Sequence, residues 1–560
     1  MPKPIRGADI VARTLDAAGL RTVFTLSGNH IMSLFDAALD TRLRLIHVRH
    51  EAAAVHMADA WGRLNGQCGI VWVSGGAGFT NAAAALCTAR AAESPLVLLA
   101  AHAGLKELGR GAFQELRQAE MAAPVAKASW TAKSAASLGH EVAEAARIAM
   151  SGRPGPVHLS LPFDLLDEKL DDVPSLWPTS SAFDPQAQLL EVAAAEKVLA
   201  ELAKAKRPLV LVGPQLCHSG DLSRLETLEG ALGVPVIPME SPRGLNDARL
   251  GAFAEVLRQA DLIVLLGKAL DFTLRFGDPP VVDPTCHFIA IDPEAEIIER
   301  IAREKGERLA YSVVADAAPA MPTLIERARA KAEHRAWTAE VRAAVAYRPA
   351  PWATLASTQP GKVHPVELCR ALQTVLATRP NAVLVCDGGE IGQWPQALLA
   401  PSRRLINGPA ASIGASIPFA IGARASDAAA PVVAVMGDGT FGFHMAEFDT
   451  AVRYGLPFVA VVGNDAAWNA EHQIQLRDYG RNRAHGCELL PSRYDLVAQA
   501  LGGHGELVTA VGELAPALER ALASGKPACV NVMIERVPAP TTHHPTRDRH
   551  HFHSKHCFLL

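Results

Sequence analysis

Residues 432–465 read VVAVMGDGTFGFHMAEFDTAVRYGLPFVAVVGND. The run from Val432 to Met436 is apolar without alternation, as in a strand buried on both faces of a parallel sheet. It stops at Gly437-Asp438-Gly439-Thr440, and a helical stretch follows around Met445 to Val452. Pro457 announces a second apolar run, predicted over 458–462, which ends at Asn464-Asp465. The glycines let the backbone approach a ligand, amides at a helix start attract anions, and Asp438 offers a hard oxygen to a divalent cation. Asp-Gly turns are common, but here residues 440–463 place Asn464-Asp465 at the end of the neighbouring strand, where further cation ligands would stand. The stretch predicts a cradle for a diphosphate and its metal ion.

The same pattern occurs earlier in the chain. Setting Gly75 of IVWVSG opposite Gly437 puts Pro95 opposite Pro457 and, extended backwards without a gap, Glu51 opposite Ile413. HEAAAVHMADAWGR, from His50, then lies beside SIGASIPFAIGARA, from Ser412. An ungapped match from Glu51 to Pro95 identifies two diverged copies of one α/β unit. One copy carries an acid where the other carries an isoleucine. Ligands of such sheets sit beyond the carboxyl ends of the strands, and a duplicated pair invites a site shared by two such edges.

Further strands are predicted at 69–73, 96–100, 209–212, 262–266, 288–291 and 383–385, separated by Ala-rich helical stretches. Proline-rich segments at 172–185 and 348–365 divide the chain. The expected architecture is α/β, with three doubly wound parallel-sheet domains at 1–175, 186–347 and 361–540, followed by a flexible tail at 541–560. The tail, HHPTRDRHHFHSKHCFLL from His543, is rich in histidine, and its last four residues mimic a prenylation box.

Composition excludes several classes. Charged residues are 20% and hydrophobic ones 49%, enough apolar material for several cores. Lys+Arg of 54 against Asp+Glu of 58 leaves no basic stripe for nucleic acid. Lys3, Arg6, Asp9 and Arg13 interrupt the N-terminus, and no uncharged stretch is long enough to span a bilayer, so no membrane association is expected. Nine cysteines without a CxxC pair argue against a disulfide framework or zinc ribbon. A cytoplasmic enzyme acting on small molecules is expected.

Taken together, the sequence resembles the thiamine diphosphate enzymes of the acetolactate synthase, pyruvate oxidase and benzaldehyde lyase type. Gly437-Asp438-Gly439 followed by Asn464-Asp465 matches their Gly-Asp-Gly and Asn-Asn signature. Arg49-His50-Glu51 matches their N-terminal glutamate, and Ser74-Gly75-Gly76-Ala77-Gly78 their Ser-Gly-Pro-Gly turn. Gly28-Asn29-His30 and Ala112-Phe113-Gln114-Glu115 fit in order and position. The resemblance implies that the first and third domains share a thiamine diphosphate site. Glu51 would exchange a proton with the aminopyrimidine, Ile413 would support the bent cofactor, and Gly437, Asp438, Gly439, Thr440, Asn464 and Asp465 would hold the diphosphate and Mg²⁺. One departure is Asp465, where the family has a metal-binding asparagine. Asp438 and Asp465 are the expected ligands, with Asn464 or a carbonyl near Ala467 as the alternative.

His30, Gln114 and Glu471 are the implied catalytic neighbours of the reacting carbon, and Asn29, Phe113, Ala470 and His472 further lining of the substrate pocket. The central segments Gly267-Lys268-Ala269-Leu270-Asp271 and Ile291-Asp292-Pro293 stand where some relatives bind FAD, although others bind nothing there. The resemblance therefore implies a homodimer or homotetramer that makes or breaks a carbon–carbon bond beside a carbonyl, with 2-oxo acids or 2-hydroxy ketones as substrates. Acetolactate-synthase-like carboligation is the leading expectation. Benzaldehyde-lyase-like cleavage or 2-oxo acid decarboxylation is second, and a flavin-dependent oxidase third. Retention of Glu51 and the Gly-Asp-Gly turn speaks against a catalytically silent regulatory homologue.

Overall fold

The computed structural model describes residues 4–220, 222–329 and 334–542; the histidine-rich segment from His543 lies outside them. Three parallel sheets carry the fold, as expected. The first runs Arg44–His47, Thr22–Leu26, Gly69–Val73, Leu96–His102, Pro156–Pro162, Ala128–Thr131 across its width. The third runs Arg403–Ile406, Val383–Cys386, Val432–Gly437, Val459–Asn464, Ala528–Met533, His504–Val508. In both, the first two strands of the chain are exchanged in space and so are the last two. This shared order supports the duplication read from the sequence. Gly69–Val73 and Val432–Gly437, the strands aligned by Gly75 and Gly437, occupy the same place in their sheets.

The central sheet runs Val236–Pro238, Pro208–Val212, Leu262–Leu266, His287–Asp292, Leu309–Val314. Strand alternation sends Leu209, Leu211, Ile263 and Leu265 into a core with Phe253 and Trp337. Val210, Val212, Val264 and Leu266 enter another with Leu228 and Met321. Burial on both faces explains the unbroken apolar runs.

The described chain falls into two compact units. One holds residues up to Gln186 together with 417–429 and 446–456. Within it the helices Glu51–Asn65 and Ser416–Ser426, counterparts in the duplication, touch. A Cβ on Gly422 would lie 2.4 Å from Met57 O, and the Arg63 guanidinium lies 4.7 Å above the centre of the Phe419 ring. The other unit holds the central and third sheets. There Arg404 joins them by an ion pair to Glu240 at 2.7 Å, both side chains being 10% exposed.

One element differs from expectation. The helix after the Gly-Asp-Gly turn begins at Asp438 and runs to His444, and a second one covers Glu447–Arg453. The expected helical stretch around Met445 to Val452 corresponds to the second of these; the first, directly on the glycine turn, is additional to it.

Gly422→Val should force the two helices apart and lower the thermal midpoint by several degrees, as overpacking costs about 1–3 kcal/mol. Gly512→Ala, on helix Val511–Ala523 with open space at its Cβ, should leave the midpoint unchanged or raise it slightly. Differential scanning calorimetry of both variants measures the contrast.

Candidate active site

Strands Val432–Gly437 and Val459–Asn464 pair in register, Gly437 opposite Gly463. The residues just past their carboxyl ends therefore emerge side by side. Asp438 and Asp465 are 2% and 6% exposed. Asp438 Oδ2 has no hydrogen-bond partner, and burial pushes the Asp438 carboxyl up to about 6. Burial, followed by the charge of Asp438, pushes Asp465 up to about 7. The N–H of Ala467 relieves both carboxylates.

The turn that presents Asp465 and Ala467 is built to do so. Ala466 takes φ +56°, an uncommon conformation for a residue with a Cβ. Its N–H donates to Asn464 Oδ1 at 3.2 Å, which closes an Asx turn. Asn464 Nδ2 donates to Ser492 O at 3.0 Å and Asn531 Oδ1 at 3.1 Å. The Arg536 guanidinium donates to the carbonyls of Asp465, at 3.1 Å, and Ala466, at 3.0 Å. The Asn464 side chain is thus engaged behind the turn and is not among the residues that line the cavity.

That cavity, about 250 Å³, is lined by Gly437, Asp438, Gly439, Thr440, Asp465, Ala467, Ala470, Glu471 and Ile413. His472 is not among its lining residues. One residue along helix Asn469–Asp478 turns the side chain by roughly 100°, and the electrostatic influence of His472 falls on Glu488. A Cβ on Gly439 would meet the Trp468 ring at 2.5 Å, and one on Gly389 would meet Ala470 Cβ at 2.5 Å. These glycines are required for space.

Sequence reading missed three groups here. Asp387, just past strand Val383–Cys386, accepts from the N–H groups of Gly388 at 2.6 Å and of Gly414 and Ser416 at 3.0 Å, fixing the segment around Ile413. Its burial lifts its carboxyl to about 6. Glu390 and Arg243 line the same cavity. A carboxylate ending a strand, in a Gly-Gly-Glu run, was the available signal for the first two; nothing local marks Arg243.

In the other unit, Glu51 opens helix Glu51–Asn65. Glu447 Oε1 holds the preceding turn by accepting from the N–H groups of Arg49 at 2.9 Å and His50 at 3.1 Å. The half-buried Glu51 carboxylate accepts from Asn81 Nδ2 at 3.0 Å. It lies against the glycine turn, where a Cβ on Gly78 would be 3.3 Å from Glu51 Oε1. Gln118 Oε1 accepts the Gly76 N–H at 2.7 Å. Gln114, at φ +56°, packs on Gly76, its Cβ 2.6 Å from where a Gly76 Cβ would stand.

Asn29, His30 and Phe113 line a cavity of about 600 Å³ with Phe163 and Glu107. His30 is buried with Nδ1 unpartnered. Its ring centroid lies 5.6 Å from that of Phe113 and 5.9 Å from that of Phe163. Burial, then the charge of His102, lowers its pKa.

Orphaned Asp438 Oδ2, a second carboxylate held at raised pKa and close glycine backbone fit a hard divalent cation with an attached diphosphate. Among the described residues no three or more His, Cys, Asp or Glu side chains form a metal site. A cation here would draw on two carboxylates, backbone and ligand oxygens.

A fold and site of this kind define an enzyme that carries a diphosphate cofactor, and comparison gives the class. The chain belongs to the thiamine pyrophosphate enzyme family. Residues 5–121 match its N-terminal TPP binding domain, 195–324 its central domain and 387–532 its C-terminal TPP binding domain. It is 32% identical over 548 residues to the acetolactate synthase large subunit of Mycobacterium tuberculosis, covering 96% of each chain. It is 30% identical over 581 residues to human 2-hydroxyacyl-CoA lyase 2, covering 95% of this chain and 90% of the relative. Oxalyl-CoA decarboxylase of Escherichia coli is 27% identical over 570 residues, 97% of each. The protein is a thiamine diphosphate-dependent enzyme of carbon–carbon bond formation or cleavage. Among the described residues no helix is long and apolar enough to cross a membrane.

Carboxyls whose folded pKa is raised stabilise the fold below the ordinary carboxylate range, and that contribution is lost as pH rises through the folded values. Asp438 at about 6 and Asp465 at about 7 should therefore make the metal-free protein less thermostable as pH climbs from about 4 to above 7. Asp465→Asn should reduce that decline. Thermal midpoints of both proteins across this range, in chelator, decide it; superimposable profiles would contradict the burial of an uncompensated carboxylate pair.

Proposed function

We propose that the protein is a Mg²⁺-dependent carboligase or lyase acting on 2-oxo acids or 2-hydroxy ketones, acetolactate-synthase-like in its chemistry. The observation that carries this reading is the buried, unpartnered Asp438 Oδ2 beside Asp465 at the ends of two adjacent strands. Bound there, thiamine diphosphate supplies a nucleophilic carbon that adds to a carbonyl and a ring that accepts the electrons of a breaking carbon–carbon bond.

The chain's own residues do the rest. Asp438, Asp465 and the carbonyl of Ala467 hold Mg²⁺, while Gly437, Gly439 and Thr440 leave the diphosphate room against the backbone. Ile413, held through Gly414 by Asp387, gives the cofactor its apolar support. Glu51 exchanges a proton with the aminopyrimidine nitrogen, with Asn81 and Glu447 fixing its position. His30, Gln114 and Glu471 donate or accept protons at substrate oxygens, and the lowered pKa of His30 suits a neutral imidazole at working pH. Asn29, Phe113 and Ala470 shape the space for the substituent. The family resemblance brings Glu51 of one subunit to the diphosphate site of another, so the active unit is a homodimer or a larger homo-oligomer. The lyase and decarboxylase relatives favour cleavage of a 2-hydroxyacyl or 2-oxo acyl group as the second reading.

Glu51→Gln should retain thiamine diphosphate while slowing turnover by about two or more orders of magnitude, the scale of a lost proton-transfer group. Turnover is followed in a screen of 2-oxo acids and acyloins with products identified by mass. Mixing inactive Glu51→Gln with inactive Asp438→Ala subunits should restore part of the activity. Verified subunit exchange without recovery would exclude the shared site.

A further inference from the structure

Among the described residues, one cation in the cavity of the third sheet has no hydrogen-bond or ion-pair partner for its side chain. Arg243 follows central strand Val236–Pro238 and lines that cavity with Glu390, Glu471, Gln396 and Asn407. Its backbone is fixed. Ser241 Oγ accepts the Arg243 N–H at 3.2 Å, and Arg243 O accepts the Asn246 N–H at 2.9 Å. Gly244 takes φ +52°, where a Cβ would fall 2.1 Å from Thr273 O. Glu240, just before the loop, is locked to Arg404.

The Arg243 guanidinium is half-buried, and among the described residues it makes no side-chain hydrogen bond or salt bridge. Burial, its first-ranked influence, lowers its pKa, while Glu390, Asp247 and Glu471 attract it from beyond ion-pair distance. Glu390 already accepts the N–H of Ala539. Arg536, in contrast, acts on both Asp438 and Asp465, with Lys362 acting on Asp465 as well. The cavity thus has a carboxylate end suited to a metal and a second end where, among the described lining residues, Arg243 is the one cation.

We propose that Arg243 recognises an oxyanion of the substrate, a carboxylate or phosphate oxygen entering at the Glu390–Glu471 end. The proposal rests on the reading of this cavity as the thiamine diphosphate site. Donors taken out of water without a partner cost free energy until a ligand satisfies them, and the planar guanidinium fork matches a carboxylate or phosphate in two hydrogen bonds. Without Arg243 an anionic substrate would meet only Glu390 and Glu471 at this end. Two sources share the required chemistry: the carboxylate of a 2-oxo acid and the phosphates of a coenzyme A thioester.

The test uses the full-length protein loaded with thiamine diphosphate and Mg²⁺ and titrated calorimetrically with oxamate, neutral oxamide and coenzyme A. Loading is measured first; if thiamine diphosphate does not bind, both the proposed function and this inference fall. Oxamate or coenzyme A should bind more tightly than oxamide, and the probe that does so identifies the source. Arg243→Gln should weaken that probe by about ten- to hundredfold, the range of a charged hydrogen bond, while Arg243→Lys loses less. Oxamide and thiamine diphosphate affinities should be unchanged. If loading is normal but no anion binds more tightly than oxamide, or Arg243→Gln weakens neutral and anionic probes alike or neither, the anion site is overturned and the guanidinium only balances the nearby acids.

Discussion

Two buried carboxylates brought together at the ends of adjacent strands are the constraint on which this structure turns. The register of Gly437 against Gly463 puts Asp438 and Asp465 side by side, both buried. Burial raises both pKa values, and the charge of Asp438 adds to the rise at Asp465. Such an arrangement costs folding free energy at neutral pH and is retained where a bound metal offsets it. Nearby geometry holds the turn that carries Asp465: the positive φ of Ala466, the Asx turn of Asn464 and the bracing by Arg536.

The duplication explains how the other part of the chemistry arose. Both outer sheets have the same strand order, yet the helix that begins with Glu51 in one copy has Ile413 at the matching place in the other. Under the proposed function, the acid of one copy would serve the aminopyrimidine and the isoleucine of the other would support the cofactor beside the aspartate turn. Missed residues support those roles from behind. Asp387 holds the segment around Ile413, Glu447 holds the turn before Glu51, and Gln118 holds Gly76.

The sequence made the architecture legible where strands are buried on both faces, because an unbroken apolar run such as Ile70–Val73 or Val432–Met436 has few other readings. Pro156–Pro162 went unread, although every residue in it is buried, since its His158, Ser160 and bounding prolines break the apolar signal. Half-buried Ala128–Thr131 gave none. In the site, Asp438, Asp465, Ala467, Ile413, Ala470 and Glu471 line one cavity. Asn464 and His472 do not, because side-chain direction within a turn and around a helix is decided by neighbours that motif order does not specify. Arg243 was invisible for a related reason: it reaches the cavity from another sheet, through a contact that depends on Glu240 and Arg404.

The most direct test of the account is the binding of thiamine diphosphate to purified protein by titration calorimetry, with and without Mg²⁺. If Asp438 and Asp465 await a cation that carries the diphosphate, affinity should fall by at least about tenfold when Mg²⁺ is removed and be lost in Asp438→Ala. Equal binding with and without Mg²⁺, or unchanged binding by Asp438→Ala, would contradict it.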